Sequence, residues 1–463
     1  MIEGILLRRG TLLFSEEVYA ATLLNNCRST LCSYCFTKNK LFYCMGCRLH
    51  RYCNKECQAK DWIDHKNECK IFRRIPMEDR VQFDYHIHLI IRIIFKLERE
   101  STKNPEKLIS YCNEKIKLNK YKFMDLKEHF LEEMKISGSK ITSLLELIKD
   151  SLPKAILDKY EYTMPHIWCK ITTNSFYIRD EHRQEIGVGI FLNSSKYNHN
   201  CVPNGIIISN GRTQHLVLIE DLYLPNANDL EKYVRISYRN PLATTYARQL
   251  IFKNTYNFTC DCSLCCPDKT QNQSSNSMED EFIIDITDEC LPKYDFQESN
   301  SDLEQLQSYQ ELYFNGYLTK KILSFGQKSN AISFPVSMNI VYNTILQKQL
   351  EANMIVVRQN ITKPDGEAMI NFKITYEMCR ALENGHILKK NYGKYSVYLA
   401  IHWYRMAVLS KVLDYNPDLI IYKNKCLEIL DAAYPLTQLN EPMINRSIIG
   451  TMRKFYLPEI YPK

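Results

Sequence analysis

Eight soft metal ligands fall within thirty-eight residues of this chain, as Cys32-x2-Cys35-x8-Cys44-x2-Cys47-x5-Cys53-x3-Cys57-x7-His65-x3-Cys69. No other feature restricts the possible fold so tightly. Each C-x2-C pair is a knuckle that presents two sulfurs to one ion, and eight such ligands suffice for two tetrahedral zinc sites. Cys53/Cys57 and His65/Cys69 are four residues apart, so each pair is expected on one face of a helical turn. A segment this short has too few apolar residues to fold alone, and metal must supply much of its folding energy. A cluster of buried free thiols would not repeat at this spacing. The spacing leaves open which knuckle shares an ion with which helical pair.

A second run, Cys260-x-Cys262-x2-Cys265, offers three thiolates where a structural zinc needs four ligands. Cys266 is awkwardly adjacent to Cys265, which makes Cys201 the better fourth candidate, although the residues alone leave the choice open. The other seven of the eighteen cysteines (Cys27, Cys112, Cys169, Cys266, Cys290, Cys379 and Cys426) read as ordinary small residues.

At 463 residues the chain is long for one core, so two or three domains are expected. A composition 45% hydrophobic and 24% charged excludes a wholly disordered, collagenous or membrane-embedded chain. The most apolar stretch, Tyr85–Leu97, is interrupted by Arg92 and Lys96 and is too short to cross a bilayer. No charged-then-apolar leader opens the sequence, so a soluble chain of the cytoplasm and nucleus is expected. In that reducing setting clustered Cys reads as metal ligand.

Metal binding also changes the charge argument. Eleven ligating thiolates and three Zn²⁺ ions lower the formal +7 to +2. Within 32–69, seven Lys/Arg against four Asp/Glu are offset by seven thiolates and two ions, leaving a near-neutral module. That is not the footprint of a phosphate binder, and direct DNA binding is disfavoured against peptide binding.

Along the chain, Leu12–Phe14 form an apolar run after a turn at Gly10, which marks 1–30 as strand-rich. From 72 to 165 the pattern is helical, with stripes such as Ile90, Ile94, Leu97 and Leu144, Leu145, Ile148. Val188–Leu192, Gly205–Ile208, Leu216–Ile219 and Val234–Ser237 read as strands of a small sheet. The polar stretch 269–281 reads as linker. Beyond 300 the chain turns helical again, with Met338, Val341, Ile345 and Val397, Ile401, Tyr404, Val408 each on one face.

The segment 32–69, with its KDWIDHKNEC context, resembles the MYND zinc finger. The resemblance implies interleaved sites, with Cys32, Cys35, Cys53 and Cys57 on one ion and Cys44, Cys47, His65 and Cys69 on the other. It also implies a proline-rich peptide as partner. Further on stand Asn198-His199-Asn200-Cys201-Val202-Pro203-Asn204, then Ile236-Ser237-Tyr238, then Phe258-Thr259-Cys260-Asp261-Cys262-Ser263-Leu264-Cys265. These resemble a SET domain and its post-SET zinc site. The combination is similar to the SET-and-MYND family of protein lysine methyltransferases.

That family implies an α+β fold: a small-stranded SET β-fold split by a MYND finger and a helical insertion, with a post-SET zinc site and an all-α TPR-like C-terminal domain. The expected divisions are an N-terminal SET fragment (1–30), the finger (32–69), the insertion (72–165), the SET core (170–258), the post-SET segment (259–267), a linker (268–290) and the C-terminal domain (300–463). Asn198, His199 and Phe258 are implied to bind S-adenosylmethionine. Phe176, within Asn174-Ser175-Phe176, is implied to line a lysine channel with Tyr238 and Tyr256. Cys201, Cys260, Cys262 and Cys265 are implied to hold a third zinc.

The implied activity is methylation of lysine in a histone or another protein by a monomer, and the implied alternative is a catalytically impaired adaptor. The family also implies a strand and a Gly-containing loop ahead of the segment Leu7–Phe14. Only six residues precede Leu7, and Gly4 makes no such motif, so a cofactor pocket short of one wall is expected. Asn200 and Val202 stand where the family has Ser and Asp.

Overall fold

A computed structural model describes residues 4–102, 121–266 and 393–456, except 83, 182, 227–228, 239–244 and 440, and adds Tyr376. Three short strands open the chain: β1 (Ile5–Leu7), β2 (Leu12–Glu17) and β3 (Ala20–Leu23). The finger follows, with the hairpin β4 (Phe42–Tyr43) and β5 (Arg51–Tyr52) and the long α1 (Lys55–Arg74). Asn54 caps α1 by accepting the Cys57 N–H at 2.8 Å, and Arg73 and Arg74 complement the helix dipole at its end.

The helical block comprises α2 (Met77–Gln82), α3 (Tyr85–Thr102), α4 (Phe130–Lys149), α5 (Lys154–Tyr160) and α6 (Met164–Asn174). It runs to Asn174, beyond the expected limit of 165. Pro165 suits the first turn of α6, and Met164, Ile167, Trp168 and Ile171 make a fully buried stripe at helical spacing.

Strands then return: β6 (Ser175–Arg179), β7 (Glu185–Ile190), β8 (Asn198–His199), β9 (Gly205–Asn210), β10 (Thr213–Leu218) and β11 (Leu222–Leu224). After α7 (Leu230–Tyr233) come β12 (Arg235–Ile236) and α8 (Thr245–Tyr256). Among the described residues the opening strands pair with these later ones: β1 with β11, β2 with β10, and β3 with β7. The finger and helical block are thus an excursion between two halves of one set of sheets. Glycine permits the closest approach, since a Cβ on Gly187 would meet the Thr22 carbonyl oxygen of β3 at 2.8 Å.

Arg92 and Lys96, which interrupt the apolar α3, tie the excursion down. The buried Arg92 guanidinium grips Glu68 of α1 at 2.5 and 2.8 Å and donates to the Ala21 carbonyl of β3 at 2.8 Å. Lys96 donates to the Tyr19 carbonyl and lies 4.3 Å over the Tyr19 ring.

The described C-terminal part comprises α9 (Val397–Val412), α10 (Asn416–Ala433), α11 (Glu441–Ile444) and α12 (Ile448–Tyr456). The Tyr434 hydroxyl reaches the Tyr395 carbonyl, so α9 and α10 run antiparallel. A single buried face was expected for α9. Instead Leu399, Ala400, Trp403, Met406, Ala407 and Leu409 are buried as well as Val397, Ile401, Tyr404 and Val408. The helix is enclosed because α10, α12 and the Ile208, Val217 and Ile219 side chains of the sheet share its core. Residues 269–281, Met338, Val341 and Ile345, and Cys112, Cys290 and Cys379 lie outside the described residues.

Candidate active site and metal centres

The ligand atoms of Cys32, Cys35, Cys53 and Cys57 lie within 4.8 Å of one another, as do those of Cys44, Cys47, His65 and Cys69. The Cys35–Cys53, Cys53–Cys57 and Cys44–Cys69 sulfur separations are 3.7, 3.5 and 3.7 Å. A tetrahedron with Zn–S bonds of 2.3 Å has edges of about 3.8 Å, so these donor sets fit zinc. Cys57, His65 and Cys69 all ride on α1. Cys53, expected on a helical turn, precedes the helix by two residues because Asn54 takes the cap position. One helix therefore serves both sites and locks their relative position.

His65 shows how the second site is oriented. Its Nε2 lies 3.5 Å from Cys47 Sγ, and its Nδ1 faces Glu68 at 3.3 Å. A carboxylate behind a ligating imidazole fixes its tautomer and ring plane. Glu68 is in turn gripped by Arg92, so this metal site is tied through two side chains to strand β3.

The third quartet joins distant parts of the chain. Cys201, Cys260, Cys262 and Cys265 place their sulfurs within 4.8 Å of one another, with Cys201 at 3.9 Å from Cys260 and 3.6 Å from Cys265. Cys266 stands outside this set, its sulfur directed at the Cys260 carbonyl. Two supports escaped sequence reasoning. Gln249 clamps Cys260 by donating to its carbonyl at 2.7 Å and accepting its N–H at 2.9 Å. Arg248, 2% exposed, directs a guanidinium N–H at Cys265 Sγ and offsets thiolate charge. Their spacing from Phe252 on α8 was the available signal, since residues one turn apart share a face.

The segment that reaches Cys201 is threaded. Strand β8 pairs in parallel with β12, Asn198 opposite Arg235 and His199 opposite Ile236. Asn200 holds its own turn by accepting the Val202 N–H at 2.8 Å. Glu16 of β2 anchors the preceding turn by accepting the N–H groups of Asn193 and Ser194 and the Ser194 hydroxyl, at 2.7 to 3.0 Å. The sequence signal for Glu16 was an acid at the inward period of Leu12 and Phe14.

His199 links the thiolate quartet to Tyr238. Burial pushes its imidazole down to about 4, so it is neutral near pH 7. Its Nδ1 accepts the Tyr238 N–H at 3.0 Å, which leaves Nε2–H to donate to Cys201 Sγ at 3.2 Å. The Tyr238 hydroxyl donates to the Tyr197 carbonyl at 2.8 Å, and burial raises it to about 12, so it stays protonated.

Around it lie Tyr256 with ring centroids 4.8 Å apart and Phe258 at 6.4 Å. Phe252, which sequence reasoning missed, stacks on Phe258 at 5.1 Å. Phe176, Asn198, His199, Tyr238, Tyr256 and Phe258 all line one cavity of about 770 Å³.

Residues 32–69 match the MYND finger family model. Histone-lysine N-methyltransferase SMYD3 of Homo sapiens is 30% identical over 308 residues, which are 65% of this chain and 66% of that protein. The chain belongs to the SMYD family. SMYD1 of Homo sapiens, also named a histone-lysine N-methyltransferase, is 27% identical over 61% of this chain and 54% of its own length. The human N-lysine methyltransferase SMYD2 is 28% identical over 55% of each chain. The chain thus spans just under two thirds of SMYD3 and about half of the other two. The finger match and the thiol quartets together support zinc binding by this SMYD chain.

Proposed function

We propose that this chain is a zinc-containing, S-adenosylmethionine-dependent protein-lysine N-methyltransferase acting on a histone or another protein. The observation that carries the reading is the convergence of Phe176, Asn198, His199, Tyr238, Tyr256 and Phe258 on one cavity. Residues 1–30 and 170–258 would be the halves of a SET fold split by the finger and the helical insertion, with 259–267 as the post-SET zinc segment. The described helices α9–α12 would belong to the TPR-like helical domain expected over 300–463, most of which lies outside the described residues. Free thiols gathered at metal distances suit a reducing compartment, the cytoplasm and nucleus.

The cavity fits the cofactor by size and chemistry: about 770 Å³ lies within the range of small-molecule sites, and it joins an aromatic face to polar Asn198. When bound, S-adenosylmethionine supplies an electrophilic methyl on a sulfonium. Phe258 would pack on its adenine, with Asn198 and the His199 backbone as polar partners. Phe176, Tyr238 and Tyr256 would line the lysine channel.

A lysine amine in water has a pKa of about 10.4 and must lose its proton before it can attack. Aromatic walls desolvate the ammonium and favour the neutral amine. They also tolerate a methylated cation as product. The Tyr238 hydroxyl spends its proton on the Tyr197 carbonyl, so its oxygen is left to accept an amine N–H and aim the lone pair. Catalysis is then mainly positioning.

A second reading, a docking adaptor, is favoured by the apolar side chains on the finger surface: Phe42 is 56% exposed, Met45 80% and Ile63 67%. Such a surface suits a proline-rich peptide and is compatible with catalysis elsewhere in the chain. Titration with labelled S-adenosylmethionine separates the readings. Saturable binding that is lost on Asn198→Ala supports the enzyme, and no binding by the zinc-loaded chain rejects it.

A further inference from the structure

The cavity that holds the aromatic cluster carries more cations than carboxylates in its lining. Its wall includes Asp261 between Cys260 and Cys262, whose thiolate quartet stays net negative around one Zn²⁺. The rest of the lining carries five cations, Lys127, Arg179, Arg183, Lys196 and Arg235, against the carboxylates of Glu133 and Asp180.

Part of this positive charge is held by neutral groups, although the Asp125 and Glu231 carboxylates also act on Lys196. Arg183 lies 4.5 Å over the Tyr398 ring of α9. Lys196 donates to the Asp125 carbonyl at 3.1 Å and sits 4.6 Å over the Tyr121 ring. Arg235 donates to the Glu231 and Val234 carbonyls. Lys127 is exposed.

The carboxylates nearby are partly engaged. Glu185 pairs with Arg179 at 2.6 Å, Glu231 accepts the Tyr121 hydroxyl, and Asp180 accepts the Gln184 N–H at 2.8 Å. The placement of Arg183 is also costly. It stands at the β6–β7 hairpin with φ +67°, a left-handed conformation disfavoured by about 1 kcal/mol for a residue other than glycine.

We infer that the substrate lysine is presented within an acidic segment, its Asp and Glu neighbours seated against the Lys127/Lys196 and Arg183 rims, and not within a basic stretch of histone-tail type. This inference rests on the methyltransferase reading. The ammonium enters the aromatic channel of Phe176, Tyr238 and Tyr256, while flanking carboxylates meet the cationic lining. A basic flank would meet like charge on the same rims. Each exposed carboxylate–cation pair changes affinity by about two- to five-fold, so two such pairs give about tenfold.

Fluorescence anisotropy on the full zinc-loaded chain tests this with two labelled peptides that share a central Lys, one flanked by Glu/Asp and one by Lys/Arg. The acidic peptide should bind about tenfold tighter at low salt, and the advantage should shrink several-fold near 1 M salt, where the screening length falls to about 3 Å. Arg183→Glu should narrow the preference several-fold. Lys127→Glu, at an exposed position, should do the same and remains informative if the first variant disturbs the Tyr398 contact. Equal binding, tighter binding of the basic peptide, binding of neither, or an undiminished preference in both variants would overturn the inference. Donor binding is titrated separately, so failure of the methyltransferase reading is seen apart from failure of the peptide preference.

Discussion

Arg92→Met removes a single cation from between three elements. Arg92 is 4% exposed, and Glu68 and Asp61 are 1% and 2% exposed. The guanidinium forms a forked pair with Glu68, approaches Asp61 at 3.3 Å and satisfies the Ala21 carbonyl. Methionine fills similar volume but leaves two carboxylates buried without their cation. Stranding the partner of a buried ion pair costs about 3–5 kcal/mol. At about 2–4 °C per kcal/mol for a domain of this size, the melting temperature should fall by about 6–20 °C. Glu68 would also lose the grip that holds it against His65 Nδ1, so the second finger site should release zinc to a chelator faster than the first.

The assay is thermal unfolding of the zinc-loaded variant, with metal release followed by a colorimetric chelator. Arg92→Met/Glu68→Gln should recover part of the loss, because an amide tolerates burial beside Met better than an unpaired carboxylate. A cost below about 1 kcal/mol for Arg92→Met would refute the reasoning, since the carboxylates would then have been balanced by other means.

Metal analysis should return three Zn²⁺ per chain, and Cys44→Ser or Cys265→Ser should each remove one. Tyr238→Phe deletes the hydroxyl that bonds the Tyr197 carbonyl, and single-turnover methylation should slow by about 10²-fold, the scale expected of a misplaced amine. Glu16 makes a pH-dependent contribution. Burial raises its carboxyl above the ordinary 4.5, against the opposing pull of the Asn193 and Ser194 donors. The folded state therefore holds this proton more tightly than the unfolded chain, and the Glu16 contribution to stability should rise as pH falls through the raised value toward 4.5. The Glu16 contribution is read as a difference: between pH 7 and 4.5 the urea midpoint of the parent chain should gain relative to that of Glu16→Gln, whatever the common trend from the zinc sites.

The finger was legible because its ligands are local: knuckles and a helix bring Cys and His together over a few residues, and spacing alone reports it. Strands β2, β7, β9 and β10 were legible from apolar runs bounded by turn residues, with ends displaced by a few positions. The enclosure of α9 was not, because a helix covered on every side by α10, α12 and a sheet reads in sequence as one amphipathic face with surplus apolar residues. Glu16, Arg248, Gln249 and Phe252 escaped notice for a related reason. Each acts on a partner brought close by folding, and its local signal, an inward strand position or a helical spacing, does not name that partner.

By itself the sequence determined the chemistry on offer: twelve metal ligands in recognisable groups, a threaded Asn-His segment, and aromatic residues set beside a thiolate run. Only the tertiary structure decided that Cys201 stands with the 260–265 run, that His199 joins that quartet to Tyr238, and that cations line the same cavity. The reason is distance along the chain. Ligand spacing is a short-range property that each segment carries alone, whereas a cavity and its field are sums over side chains that meet only when β1–β3 close back onto the later strands.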